Sequence, residues 1–155
     1  MLLLQSSARP HGNTHQVAAR LAAQLGAEHL DLLDFDIAPF NYEQVYPGND
    51  DFLQLVQTHL LPRPRIILAS PVYWYSMSGP LKIFFDRLSD LLMSHKELGR
   101  QLRGKRMSVL SVGNDAEWYP AFFAPFRLSA EYLGMEYGPE WHGWLTEGEV
   151  NILEL

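Results

Sequence analysis

Between the apolar run "MLLL" and a stretch that spaces its apolar residues for a helix lies "SSARPHGNT", residues 6–14. Ser7, Asn13 and Thr14 bring side-chain hydrogen-bond donors. Gly12 lets the backbone approach a ligand closely, and Arg9 offers a charge-assisted contact. His11 and His15 add ring nitrogens. This set suits an anion, because the first turn of a helix has unpaired N–H groups and the positive end of the helix dipole. The chain has a net charge of −6, yet no Asp or Glu falls between Met1 and Ala27. The same residues equally suit a plain turn with Asn13 or Thr14 as the helix cap. Neither common nucleotide pattern fits: Asn13, not Lys, precedes Thr14, and Gly12 stands alone where a dinucleotide fingerprint needs three glycines.

A second candidate is "SPVYWYSMSGPLKIFFDRL", residues 70–88. Tyr73, Trp74 and Tyr75 are consecutive aromatics in what reads as a loop. Such a cluster packs down as a lid, joins two subunits or binds something flat. A flat heterocycle on these rings, with a phosphate tail in the first stretch, describes FMN. Other groups are set aside. His11 and His15 have i,i+4 spacing without an evident third metal ligand. Asp31, Asp34 and Asp36 lack the acid at the end of the first strand that a magnesium cluster of the receiver type needs. Asp50 and Asp51 read as helix-start charges. His142, between Trp141 and Trp144, reads as a strand-edge filler.

The elements that must position these residues alternate in type. Leu2–Leu4 is a short apolar run suited to a buried strand, and Asn13–Leu25 carries an apolar helix face ended by Gly26. "EHLDLLDF" (28–35) reads as a second strand, 36–48 as a loop, and 49–60 as an amphipathic helix. "RIILAS" (65–70) is a continuous apolar run, as for a central strand covered on both faces. A helix follows over 80–92, with a stripe of Leu81, Phe84, Phe85, Leu88, Leu91 and Leu92. "KRMSVLSV" (105–112) is a fourth strand and 113–117 a loop. Residues 117–133 read as a helix weakened by Pro120 and Pro125, and a fifth strand lies within 134–145. Strand–helix alternation predicts an α/β protein: a flavodoxin-like three-layer sandwich with a five-stranded parallel sheet of order 2-1-3-4-5. Ligands of such sheets bind beyond the carboxyl ends of the strands, which gathers loops 6–14, 71–79 and 111–119.

Composition narrows the classes further. The length of 155 residues suits one domain spanning 1–155, without linkers or repeats. The acidic balance argues against nucleic acid and against polybasic membrane attachment. The absence of cysteine removes disulfides, iron–sulfur clusters and thiolate nucleophiles, and fits a cytoplasmic protein. No stretch approaches the roughly 18 apolar residues that a membrane span needs.

The two loops together resemble those of the flavodoxin-like NAD(P)H-dependent FMN oxidoreductases, which include FMN and quinone reductases. The family's first loop is similar to G-S-x-R-x-x-G-N-T, here "SSARPHGNT" with Ser6 in place of the first glycine. Its second is similar to P-x-Y-x-x-x-x-S-x-x-L-K-x-F-x-D-R, here "PVYWYSMSGPLKIFFDR". The resemblance covers the first ninety residues well and the rest mainly in element order and "SVGN". It implies that Ser7, Arg9, Gly12, Asn13 and Thr14 hold the FMN phosphate. Pro71, Val72, Tyr73 and Trp74 would border the ring, with Ser111, Gly113 and Asn114 at its other edge. Lys82, Asp86 and Arg87 would be structural. It further implies NADPH or NADH as reductant, a small-molecule electron acceptor such as a quinone, ping-pong turnover without an obligatory side-chain acid or base, and a homodimer. The helix at 80–92 and "WYPAFFAPF" (118–126) offer apolar surface for such a dimer, or fill the core. Two other readings share the fold and cofactor: an electron-carrying flavodoxin, and a flavin-binding regulatory subunit of a larger complex.

Overall fold

The computed structural model describes residues 1–155. β1 (Leu2–Gln5), β2 (Glu28–Asp31), β3 (Arg65–Pro71), β4 (Arg106–Val112), β5 (Glu136–Thr146) and β6 (Glu149–Glu154) form one sheet of order β2-β1-β3-β4-β5-β6. All neighbouring pairs are parallel except β5–β6. The five parallel strands have the expected order. The sixth strand is a correction to the five-stranded expectation.

Its cause is local. Glu147 and Gly148 both have positive φ (52° and 84°), so the chain turns back within two residues, as hairpin turns of the primed type require. Val150 and Ile152 then pack with Leu145 on the cluster built from α1 (Asn13–Leu25) and the sheet. A Glu in a left-handed conformation is strained, so Glu147→Asn is expected to stabilise the protein by about 0.5 kcal/mol, read in urea denaturation.

The sheet sorts its side chains by the period of two. Leu3, Ile67, Ala69, Leu110, Val112 and Trp141 face Val17, Ala18, Leu21 and Ala22 of α1. Leu2, Leu4, Ile66, Leu68, Met107 and Val109 face the opposite layer. That layer holds α2 (Phe52–Leu55, continued by a π turn, Val56–Leu60), α3 (Gly79–Arg87), α4 (Asp90–Met93) and α6 (Pro120–Tyr132). α5 (Lys96–Gly99) follows α4 before β4. Phe122, Phe123 and Phe126 are fully buried, so the aromatic stretch at 118–126 is chiefly core rather than dimer surface. No helix is long and apolar enough to cross a membrane.

Three boundaries differ from the sequence reading. β2 stops at Asp31, whose carboxylate accepts the Leu33 N–H at 3.0 Å and turns the chain into a 3-10 turn at Leu32–Asp34. The 80–92 helix is interrupted after Arg87, where the Leu88, Ser89 and Leu91 N–H groups bond to the carbonyls three residues back and tighten the turn before α4. Asp50 is not a simple helix-start charge. It lies beneath that same guanidinium, receiving Nη1 at 2.7 Å and Nη2 at 3.0 Å.

Candidate functional site

The carboxyl ends of β1, β3 and β4 bring loops 6–14, 71–79 and 111–119 to one end of the sheet. Loop one leaves β1 buried. The Ser6 N–H donates to the Ala69 carbonyl at 2.8 Å, and the Ser6 hydroxyl lies 2.8 Å from that of Ser78. The Ser78 N–H in turn donates to Ser70 Oγ at 2.9 Å. Ser6, which departs from the glycine of the resembled motif, therefore ties the first loop to the base of the second. Ser7 and Thr14 are buried beside it, and Arg9 is exposed.

The cap reading of this stretch does not hold. α1 begins at Asn13, its cap is Gly12 in extended conformation, and no side chain caps the helix. Its first turn contains no acid. The first intrahelical bond runs from Gln16 N–H to the Gly12 carbonyl, which leaves the preceding amides for an outside acceptor. A Cβ at Gly12 would lie 2.9 Å from Arg9 Nε, so the arginine drapes over the helix start. The residues present thus fit a phosphate: open amides, a guanidinium above them and no competing carboxylate.

A histidine row flanks this end of α1. The rings of His11 and His15 lie 5.0 Å apart and those of His15 and His29 5.3 Å apart. His29 Nε2 donates to Gln5 Oε1 at 2.8 Å, and Gln5 donates onward to Asp31. Burial and the neighbouring His15 hold the His29 pKa below the ordinary imidazole value, against the pull of Asp31. Sequence reasoning missed His29 because it comes from β2, paired with Leu3 across the sheet.

Loop two is a tight aromatic turn. Tyr73 and Ser76 exchange backbone bonds of 2.9 and 3.0 Å around Trp74 and Tyr75, both at positive φ (50° and 63°). Bulky residues pay about 1–2 kcal/mol each for that conformation. Trp74 is 93% exposed, and Tyr75 is also exposed. Pro71 is buried in β3, while the Val72 N–H donates to the Val112 carbonyl at 3.0 Å, joining loop two to loop three.

Loop three is held from behind by His142. The buried imidazole accepts from the Ser111 hydroxyl at Nδ1 (2.8 Å) and donates from Nε2 to the Asp115 carbonyl (2.8 Å). Ser111 is 1% exposed, so its hydroxyl supports the loop rather than lining its surface. His142, read from the sequence as a strand filler, is a strut instead. Gly113 is half-buried against it, and Asn114 is exposed. A Cβ at Gly113 would come within 2.8 Å of His142 Cε1, a ring that two hydrogen bonds hold in place. Gly113→Ala is expected to cost about 1–3 kcal/mol in urea denaturation. The Tyr119 and Tyr75 rings meet edge to face at 5.0 Å and bridge loops two and three. The neighbouring Glu117 carboxylate raises the Tyr119 pKa above the ordinary phenol value.

Lys82 and Asp86 form the surface pair expected of them, at 2.5 Å. Arg87 is structural as implied: it is 1% exposed, and its guanidinium bonds Asp50, Asp90 and the Ala38 carbonyl, none of them in the three loops. Two hollows of the molecule also lie elsewhere, one against α4 to α6 and one between α1 and β6.

Comparison with known proteins places this geometry. The model of the NADPH-dependent FMN reductase family matches residues 1–118. YwqN of Bacillus subtilis, named as an NAD(P)H-dependent FMN-containing oxidoreductase, is 31% identical over 120 residues. The match covers 73% of this chain and 66% of YwqN, so the chain spans just under two thirds of that relative. Among solved structures, the Trp repressor binding protein of Bacillus subtilis superposes with a TM-score of 0.72 at 24% identity, covering 94% of this chain and 85% of that one. General stress protein 14 of Treponema denticola, solved in complex with FMN, gives 0.62 at 16% identity over 91% and 83%. These likenesses establish the flavodoxin-like fold, and the matched residues 1–118 include loops one and two and most of loop three. The chain belongs to the NADPH-dependent FMN reductase family.

Proposed function

We propose that the protein is an FMN-dependent oxidoreductase that takes reducing equivalents from NADPH or NADH and delivers them to a small acceptor such as a quinone. The observation that carries this reading is the uncapped, acid-free start of α1 beneath Arg9, at the same sheet end as an exposed aromatic turn. Ser7, Arg9, Gly12, Asn13 and Thr14 hold the FMN phosphate. Pro71, Val72, Tyr73 and Trp74 border the ring on one side, and Gly113 and Asn114 on the other, with Ser111 and His142 fixing that edge. Bound FMN supplies the hydride-accepting and electron-donating chemistry. The chain contributes position and field: the open amides at the start of α1 and the Arg9 guanidinium would neutralise phosphate charge. No side chain is assigned as a proton donor or base.

We further propose a cytoplasmic homodimer. Leu92, Leu128 and Tyr132 are exposed and line one apolar groove between the α3–α4 segment and α6, a surface available for such contact.

The test is a visible spectrum of the purified protein after FMN loading and removal of the excess, followed by NADPH or NADH without oxygen. A retained flavin band that bleaches within seconds is the expected result and identifies the reductant. A retained band that neither nucleotide bleaches would favour an electron carrier or a binding subunit. Failure to retain flavin at micromolar FMN would overturn the reading.

A further inference from the structure

The three loops divide their charge by position. Loop one and the first turn of α1 carry Arg9, His11 and His15 without an acid. Residues 71–79 contain no charged side chain at all. Residues 111–119 carry Asp115 and Glu117 and no Lys or Arg. Neither carboxylate takes part in any ion pair of the molecule.

These acids are held in place. The Asp115 main chain is pinned by His142 Nε2 at 2.8 Å, and its carboxylate accepts the Glu117 N–H at 2.9 Å. Two residues on, Tyr119 leans edge-on against Tyr75 of the aromatic turn at 5.0 Å. Two exposed carboxylates thus sit on the short segment that leads into an aromatic arch joining loops two and three, on the β4 side of the site and across β3 from the cations that follow β1.

We propose that this arch makes the acceptor site selective for uncharged or cationic planar compounds over anionic ones, with Asp115 and Glu117 as the specificity-determining residues. The proposal rests on the oxidoreductase reading above. For a quinone the overall reaction is NAD(P)H + H⁺ + quinone → NAD(P)⁺ + hydroquinone. The nicotinamide C–H bond breaks with its electron pair, and solvent supplies the second proton. A sulfonate on a quinone places charge on the reacting ring itself, close to the arch. The dinucleotide's phosphates sit a ribose away from its nicotinamide and feel the arch less. Two carboxylates several ångströms from one negative charge, in a water-like dielectric, correspond to a discrimination of about threefold to tenfold at low ionic strength. Salt should shrink it to about twofold or less as the screening length shortens.

The test uses FMN-loaded protein and whichever nucleotide reduces it. It compares kcat/KM for 1,4-naphthoquinone and its 2-sulfonate, divided by the same ratio for reduced riboflavin free in solution. The sulfonate should be disfavoured by the stated factor, less so in half-molar salt and less so in the Asp115→Asn/Glu117→Gln double variant. The amide oxygen that Asp115→Asn introduces still accepts the Glu117 N–H, and a general loss of rate cancels in the ratio. A ratio equal to that of free riboflavin and indifferent to salt and substitution, or a preference for the sulfonate, overturns the proposal while leaving the oxidoreductase reading standing. A chain that fails to hold FMN, or whose bound FMN neither nucleotide reduces, overturns both.

Discussion

Replacing Arg87 with methionine is expected to cost about 3–5 kcal/mol of folding stability, a large share of what a domain of this size has. The guanidinium is 1% exposed and donates to Asp50, to Asp90 (Nε, 2.8 Å) and to the Ala38 carbonyl (2.9 Å). It lies 3.4 Å from the centre of the Tyr46 ring, and the Tyr46 hydroxyl donates to Asp90 at 2.9 Å. The contact therefore anchors the long 36–50 connection to α3. Removing the cation leaves two carboxylates buried without a counter-charge, which costs far more than the lost attraction. Urea denaturation measures the loss. Arg87→Met combined with Asp50→Asn and Asp90→Asn should recover a substantial part of it, and no recovery would mean that packing rather than charge dominates.

The same cluster sets a pH dependence. Burial pushes the Asp50 carboxyl up, but its hydrogen bonds from Arg87 and from the Ala38 and Phe52 amides outweigh that, and the net pKa is lowered. A carboxyl with a depressed folded-state pKa stabilises the protein above its unfolded value of about 4, and the contribution is lost as pH falls below that through the folded value. Arg87→Met should flatten this acid limb of the stability curve.

The second large effect concerns loop one, where stability and binding should move in opposite directions. Asn13→Asp adds a carboxylate at the first residue of α1, a first turn that now has no acid. Interaction with the helix dipole should stabilise the fold by about 0.3–1 kcal/mol. The same charge would face the FMN phosphate and replace an amide donor with an acceptor. FMN affinity should fall about tenfold to a hundredfold, equivalent to roughly 1.4–2.8 kcal/mol. Flavin fluorescence titration and thermal melting on one preparation read both signs. Unchanged FMN affinity in the more stable variant would mean that the α1 start does not hold the phosphate.

How much of this was legible in the sequence depended on whether the information was local. The central strands announced themselves because strands covered on both faces need continuous apolar runs, as in residues 2–4, 65–70 and 105–112, whereas β2 and β5 were placed by the strand–helix alternation. Their order followed from the alternation with helices. Gly26 ended α1 as expected, with φ of 62° and its N–H bonded to the Ala22 carbonyl. The three loops of the candidate site were legible for the same reason, since each lies next to a strand end.

What the sequence left undetermined involved partners distant along the chain. Nothing near Ser6 announces Ser78, 72 residues away, and nothing near Ser111 announces His142, 31 residues away. The Phe residues of 118–126 could serve core or surface equally, until burial under the sheet settled them as core. Asp50 looked like a helix-start acid until Arg87 was placed above it, 37 residues on. Composition, periodicity and turn chemistry act over a few residues, and so the sequence by itself determined the layers, the strand order and the loops of the site. The struts that hold those loops arise only when the folded sheet brings distant side chains within hydrogen-bonding reach.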